Sequence, residues 1–584
     1  MRMCGICSRL GVNIHDDGGA PVRLAGELLD AAKFNSSGFT WATKVGLQTH
    51  VSDLVGTTVR GNPVYSHGPN QPGTVSWQID SGYTLNVGTD GIITYGFFDG
   101  KHAVGLNNNK SFGEGAGYSP FDLAQKAAAR IAIQNWDDLI APDFQEVTGP
   151  GASEVSKTDI LLANTVTGPA QAWAYYGGYD RQYKNVSGDV WIHTPKSNAS
   201  NGQLLPGQYG LLTLNHELGH SLGLSHPGTY NFSDDNDGDG QPDPITYEGD
   251  AQYFQDSMQF SIMSYFDAYE TGAQNVDWNV MRFVYASTPM VDDVYVVQQK
   301  YGAETTTRTG DTTYGFNSSK EVTNEAMKFN KGEMFTIFTI WDSAGKDTLN
   351  LSGYHTDSII DLREGAFSSA GGYGAYDPGL VGTTPTLLTI NANNTAAFLG
   401  PRTAALFETY FNGTKGTNEG LSWKAITGTG EQLLMEQNIG IAYGAVIENA
   451  IGGFGDDRIN GNQENNFFTG GAGADTFVFA NYSTKTAPDP TTATGLKEIK
   501  DTSTDTIIDF VSGTDKIDVS WYDAGAAAGD QAFVFIGAGS FTGVAGQLRY
   551  AKGVVQGDAN GDGLADFSIN IANNAALTAA DFIL

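Results

Sequence analysis

Two nonapeptides place the tightest constraint on how this chain folds. Gly452-Gly453-Phe454-Gly455-Asp456-Asp457-Arg458-Ile459-Asn460 and Gly470-Gly471-Ala472-Gly473-Ala474-Asp475-Thr476-Phe477-Val478 both read GGxGxDxUx, with U apolar. Glycines permit the turn and expose carbonyl oxygens, the aspartate adds charge, and the apolar residue fills a core. The pattern predicts a parallel β-roll that binds calcium. Between the two copies, Gly461 to Thr469 is a degenerate repeat with Asn466 where the aspartate belongs. Successive nonapeptides turn on opposite sides of a two-sided roll, so the 452 and 470 turns stack on one side. That predicts at least one well-formed calcium site there, from Gly453, Gly455, Asp457, Gly471, Gly473 and Asp475. The opposite side is expected to bind weakly or not at all.

A chain of 584 residues exceeds one ordinary core, so two or more domains are expected. Its 65 acidic and 32 basic residues give a net charge of −33, which argues against nucleic acid and anionic membranes as partners. The only cysteines are Cys4 and Cys7, which excludes a disulfide framework beyond the N-terminus. Residues 1–17 hold no apolar core long enough for a secretory signal, and no stretch approaches a membrane span. The chain is therefore expected to be cytosolic or exported by another route.

Along the chain, Ser119-Pro120-Phe121-Asp122 reads as N-cap, first-turn proline and early carboxylate of a helix continuing through LAQKAAARIAIQNWDDLI. Strand-like runs follow at 159–166, 171–176 and 189–194. A second helix is expected from Gly210 to Gly223 and a third over Val291–Tyr301. After Gly302 the composition turns to Asp, Gly, Asn and Thr with short alternating runs, which favours an all-β domain. The stretch 365–434 matches no motif and reads as an insert.

The second helix carries His216-Glu217-Leu218-Gly219-His220-Ser221-Leu222-Gly223-Leu224-Ser225-His226. Zinc takes nitrogen ligands from one side and leaves one position open. His216 and His220, four apart, share a helix face. Glu217 follows the first ligand, where its carboxylate can reach a metal-bound water and remove its proton. Gly223 lets the chain turn back, so that His226 supplies the third ligand. Downstream, Ser261-Ile262-Met263-Ser264-Tyr265 supplies the methionine turn expected beneath such a site, with Tyr265 close to the metal.

Two further segments, Asp235-x-Asp237-x-Asp239-Gly240-x-x-Asp243 and Asp558-x-Asn560-x-Asp562-Gly563-x-x-Asp566, follow the first nine positions of an EF-hand loop. Neither has glutamate at position 12. Both are candidate calcium loops.

The zinc run, its continuation Ser225-His226-Pro227-Gly228 and the SIMSY turn together resemble the serralysin family of metzincin proteases. DLAQKAAARIAIQNW, QAWAYY, DVW and TRTGDTTYGFNS (307–318) carry the resemblance further, over roughly residues 85–350 and 440–584. It implies an α+β metzincin protease domain followed by an all-β domain containing a calcium-binding parallel β-roll. The expected division is a leader over 1–85, a protease domain over 86–303 and a β-rich domain over 304–584, with repeats near 444–480. By the resemblance His216, His220 and His226 bind one zinc and Glu217 is the general base. Tyr265 is an additional ligand that moves away to stabilise the oxyanion. QAWAYY supplies an edge strand for extended peptides. Further family-like calcium stretches are Asp342 to Asp347 and Asp505 to Asp509.

The terminal Ala580-Asp581-Phe582-Ile583-Leu584 resembles the uncleaved signal of bacterial one-step ABC (type I) export, and part of the leader is implied to be a removable pro-segment. The combined reading is a secreted, monomeric, calcium-dependent zinc endopeptidase. Two rivals stay open: a calcium-stabilised surface or S-layer-associated adhesin with an inert metzincin-like domain, and a zinc hydrolase acting on something other than peptides.

Overall fold

A β-rich chain with few helices has to bring its chemistry onto short, well-capped elements. The computed structural model describes residues 50–98, 117–148, 158–168, 171–178, 187–230, 245–273, 275–277, 282–329, 336–372, 434–480, 503–525 and 531–584. The readings at Cys4, Cys7, Asp235, Asp237, Asp239 and Asp243, and most of the 365–434 stretch, lie outside these residues.

The helices α1 (Val75–Ile79), α2 (Leu123–Asp137), α3 (Tyr209–Ser221) and α4 (Val291–Tyr301) accompany a five-stranded sheet, which α2 and α3 contact. The sheet comprises β1 (Ile92–Phe97), β2 (Asp143–Glu146), β3 (Ile160–Thr165), β4 (Ala172–Ala174) and β5 (Val190–His193), in the order β2-β1-β3-β5-β4. All are parallel except β4, which runs antiparallel to β5 at the edge. Strand β3 is buried along its whole length, as expected of a central strand covered on both faces.

The start of α2 corrects the sequence reading. Asp122, not Ser119, is the N-cap: its carboxylate accepts the Gln125 N–H, and the Gln125 side-chain oxygen accepts the Asp122 N–H. Ser119 instead exchanges backbone hydrogen bonds with Asn164. Helix α3 ends at Ser221, two residues before Gly223. The helices are locked by buried polar contacts, for Asn135 and Trp136 of α2 hydrogen-bond the side chain and carbonyl of Asn215 on α3.

Residues 50–85 are part of this body. Val51, Val64, Val75 and Ile79 join the same apolar core as the α2 and α3 side chains, and α1 packs on α4.

Beyond residue 303 the chain winds between two sheets. One takes β6 (Thr313–Gly315), β7 (Thr348–Asn350), β9 (Asn449–Ile451), β11 (Phe467–Thr469) and β13 (Thr504–Ile507), all parallel. The other takes β8 (Ile359–Asp361), β10 (Arg458–Asn460), β12 (Thr476–Ala480), β14 (Lys516–Trp521) and β18 (Phe582–Ile583), again parallel. An antiparallel meander of β15 (Gln547–Ala551), β16 (Val554–Asp558) and β17 (Phe567–Ile571) extends the first sheet past β13. Strands β9 to β12 begin at 449, 458, 467 and 476, so each nonapeptide delivers one strand, to alternate sheets. The apolar residues Ile459, Phe468 and Phe477 at their centres are fully buried. At the start of the expected insert, Phe367–Ser368 pairs with Ile439–Ile441.

Candidate metal centre

Helix α3 places His216, Glu217 and His220 in complete burial. The chain then reverses at Gly223, whose φ of 88° is the left-handed conformation the spacing required. This turn is held from the N-terminal side. Ser81 N–H donates to the Gly223 carbonyl, Ser225 N–H donates to Ile79 O, and Lys300 pairs with Asp80. His226, also buried, thereby reaches the other two imidazoles; the ring centroids lie 4.6, 5.4 and 5.0 Å apart.

All three imidazoles bond the backbone, His226 at Tyr230. His216 Nδ1 lies 2.7 Å from the Ile262 carbonyl oxygen and His220 Nδ1 lies 2.6 Å from that of Leu224. Each carbonyl fixes the Nδ1–H tautomer and leaves an Nε2 lone pair. Those two Nε2 atoms are 3.0 Å apart. Burial holds all three histidines well below the usual imidazole range, His220 down to about 3, with mutual repulsion adding to the effect for His216 and His226. Neutral imidazoles with converging lone pairs fit a cation: tetrahedral zinc with bonds of about 2.0–2.1 Å sets its nitrogens about 3.3 Å apart. Among the described residues, this trio is the only set of three or more His, Cys, Asp or Glu whose ligand atoms all lie within 4.8 Å of one another.

The Ser261–Tyr265 turn lies beneath. Met263 is fully buried, and the Tyr265 ring stands 4.2 Å from that of His226. Sequence reasoning missed what holds this turn. Asp293, in the first turn of α4, accepts the Ser261 hydroxyl at 2.6 Å and the Ile262 N–H at 2.8 Å. Ile262 is the residue whose carbonyl meets His216. Burial pushes the Asp293 carboxyl up to about 7 in spite of these donors. Asp256 accepts the hydroxyls of Tyr230 and Ser264. The acidic pair at the start of a predicted helix was a usable signal for Asp293; Asp256 carried none.

The expected calcium residues fall into four places. Asp457 and Asp475 come together: Asp457 accepts the Gly453 N–H, and Asp475 accepts the Asp457 N–H at 2.9 Å. Gly471 and Gly473, at φ of 103° and 127°, rest on the carbonyl oxygens of Gly453 and Gly455. Burial raises Asp457 to about 8 and Asp475 to about 7, and acidic neighbours add to it. Asp342 and Asp347 also interact, Asp347 being raised to about 8 by burial and by Asp342 and Glu448. Asp505 and Asp509 serve different turns, the first accepting from Asn466 N–H and the second from Gly470 and Gly471 N–H. In the 558 loop, Asp558 accepts from the N–H groups of Gly561 and Gly563, Asn560 from Asp562 N–H, Asp562 from Leu564 N–H, and Asp566 from Ala559 N–H.

These carboxylates also form a ladder. Asp457 accepts the Ser358 N–H, Asp475 that of Asp457, Asp515 that of Asp475 and Asp581 that of Gly513. On the other side Asp347 accepts from Thr312, Glu448 from Asp347 and Asp505 from Asn466.

Known proteins agree with this architecture. The family model for the C-terminal region of serralysins, "Peptidase M10 serralysin C terminal", matches residues 303–376 and 431–584. The metallopeptidase AprA of Pseudomonas marginalis is 32% identical over 558 residues, covering 91% of this chain and 94% of its own. A serralysin of Photorhabdus luminescens is 32% identical over 473 residues, 78% of this chain and 75% of its own. Serralysin C of Dickeya chrysanthemi is 39% identical over 260 residues, 44% of this chain and 49% of its own. The protein is a metalloendopeptidase. It belongs to the serralysin family, which sets aside the adhesin and the non-peptide hydrolase. No helix among the described residues is long and apolar enough to cross a membrane.

Proposed function

We propose that the chain is a secreted zinc endopeptidase with a metzincin-type catalytic domain, in which His216, His220 and His226 hold the metal and Glu217 is the general base. The observation that carries this is the convergence of three buried, neutral imidazoles, with the buried Glu217 following His216 in the same helix. Zinc bound there supplies a Lewis acid that activates water and polarises the scissile carbonyl. Glu217 takes the proton of the attacking water and returns it to the leaving amine. Tyr265, beside His226, hydrogen-bonds the carbonyl oxygen as negative charge develops. The edge strand β4 pairs with the backbone of an extended polypeptide, which gives broad specificity.

The C-terminal sheets are read as a calcium-binding β-roll. Calcium is assigned first to Asp457 and Asp475 with the Gly453, Gly455, Gly471 and Gly473 turns, and next to Asp342 and Asp347. Like-charged carboxylates at these turns disfavour the fold where calcium is scarce and favour it outside the cell, in keeping with type I export of a monomer. A removable pro-segment is placed before His50, since residues 50–85 are built into the catalytic body.

The test is Glu217→Ala in the full chain, with zinc content measured beside casein cleavage, with and without a zinc chelator. Zinc retained and cleavage abolished is expected. Casein cleavage at the wild-type rate overturns the assignment.

A further inference from the structure

One buried carboxylate at the Ser261–Tyr265 turn has no part in the mechanism above. We propose that Asp256 is a positioning residue for the reaction, fixing through a single oxygen both the ring that backs His226 and the anchor of Tyr265. The proposal rests on the reading of His226 and Tyr265 given above.

Asp256 is fully buried. Its Oδ1 accepts the Tyr230 hydroxyl at 2.7 Å and the Ser264 hydroxyl at 2.7 Å, while Oδ2 has no hydrogen-bond partner among the described residues. Burying a carboxylate without a cation beside it is costly, so its retention asks for a reason in what the two hydroxyls hold. The Tyr230 ring lies nearly parallel to the His226 imidazole, 6.0 Å away at 12°. It also touches Tyr265, with centroids 5.1 Å apart. Ser264 precedes Tyr265 and accepts the Phe266 N–H at 3.1 Å, and the Phe266 carbonyl accepts the Met258 N–H. Tyr265 is thus pinned on both flanks of its backbone.

Because both hydroxyls converge on one oxygen, a displacement of either is felt by the other. The third histidine and the tyrosine are kept in register by a group that touches neither. Charge-assisted hydrogen bonds from buried hydroxyls are short and directional, which suits a fixed reference point from which a neighbouring side chain swings.

The test compares Asp256→Ala, Asp256→Asn, Tyr230→Phe and Ser264→Ala in the full chain. Two properties are read: kcat and KM on a peptide substrate, and the phenolate-to-copper charge-transfer absorption of copper-substituted protein, which reports whether Tyr265 reaches the metal. Tyr265→Phe is the control that abolishes the band. Asp256→Ala is expected to lower kcat roughly 10- to 100-fold with KM little changed, and to weaken or shift the band. Asp256→Asn keeps an acceptor oxygen and is expected to restore both to within about threefold of wild type. Tyr230→Phe removes the phenol's bond to Asp256, and Ser264→Ala removes the hydroxyl's bonds to Asp256 and from the Phe266 N–H; neither opens a cavity, and both carry the test if the alanine variant does not fold. Their effects are expected to be non-additive when combined. An unchanged band and kcat in Asp256→Ala, or equal impairment in the alanine and asparagine variants, overturns the proposal. A wild-type copper protein without the band removes the Tyr265 reading, and this proposal with it. Survival of cleavage in Glu217→Ala overturns only the mechanism.

Discussion

Gly219 and Met263 are in contact between the zinc helix and the turn beneath it: a Cβ on Gly219 would lie 2.7 Å from the Met263 sulfur and 3.2 Å from the Trp136 ring. The zinc helix can sit this close to the turn below it only because that position has no side chain. Gly219→Ala is expected to overpack the contact by about 1–3 kcal/mol. A lower melting temperature and faster zinc loss to a chelator are the measurements. Unchanged values for both would show that the methionine is free to move.

Gly223→Ala addresses the third ligand. The residue sits at a φ of 88°, and a Cβ there would collide with the Tyr83 carbonyl oxygen. The turn that delivers His226 is expected to open while α3 stays intact. Zinc affinity measured by chelator competition is expected to fall at least about tenfold, with the helix signal retained in circular dichroism.

Calcium removal is expected to lower the melting temperature, and Asp457→Ala to abolish most of the gain that calcium returns. Asp457 sits between two turns and its loss leaves the Ser358 and Gly453 N–H groups without their acceptor. Asp558→Ala acts at a loop outside that stack and is expected to leave most of the gain. Calcium titrations followed by melting temperature compare the two.

The pH dependence of stability is expected to carry a signature of Asp293. Its carboxyl is raised to about 7 by burial, against about 3.9 in an unfolded chain. Between those values the folded protein holds a proton that the unfolded chain has released, so stability falls as pH rises from about 4 to 7 and levels off above. In calcium-saturated protein, Asp293→Asn is expected to remove that part of the slope. It should also cost about 1–3 kcal/mol, because one amide oxygen cannot replace two carboxylate acceptors. Denaturant midpoints at pH 5 and pH 8 for both proteins decide it.

What was legible in the sequence was local. His216, Glu217 and His220 are set by one helical period, His226 by the glycine turn, and strands β9 to β12 by a nine-residue repeat. The helix over Val291–Tyr301 was read residue for residue. What was not legible depends on partners far along the chain. Asp293 finds Ser261 32 residues away and Asp256 finds Tyr230 26 away, and neither pairing leaves a spacing to read. Ser-Pro-Phe-Asp offered two caps three residues apart, and the reach of Gln125 back to Asp122 decided between them. The part played by Ile79–Ser81 was hidden because two backbone hydrogen bonds to the Gly223 turn have no residue signature at all.

The carboxylate ladder of the C-terminal sheets has a direction. Every acceptor named in it, from Asp457 serving Ser358 to Asp581 serving Gly513, stands later in the sequence than the N–H it receives. A chain appearing in sequence order therefore accumulates waiting donors, each left open until the next turn arrives. The last rung named comes from Asp581. Losing the later strands would uncap rung after rung of this ladder, whereas the N–H groups of Asp456 and Ala474 at the same turns look back to Asp357 and Asp456. Within the ladder each turn is completed by a later one, and Asp581 serves that part for Gly513.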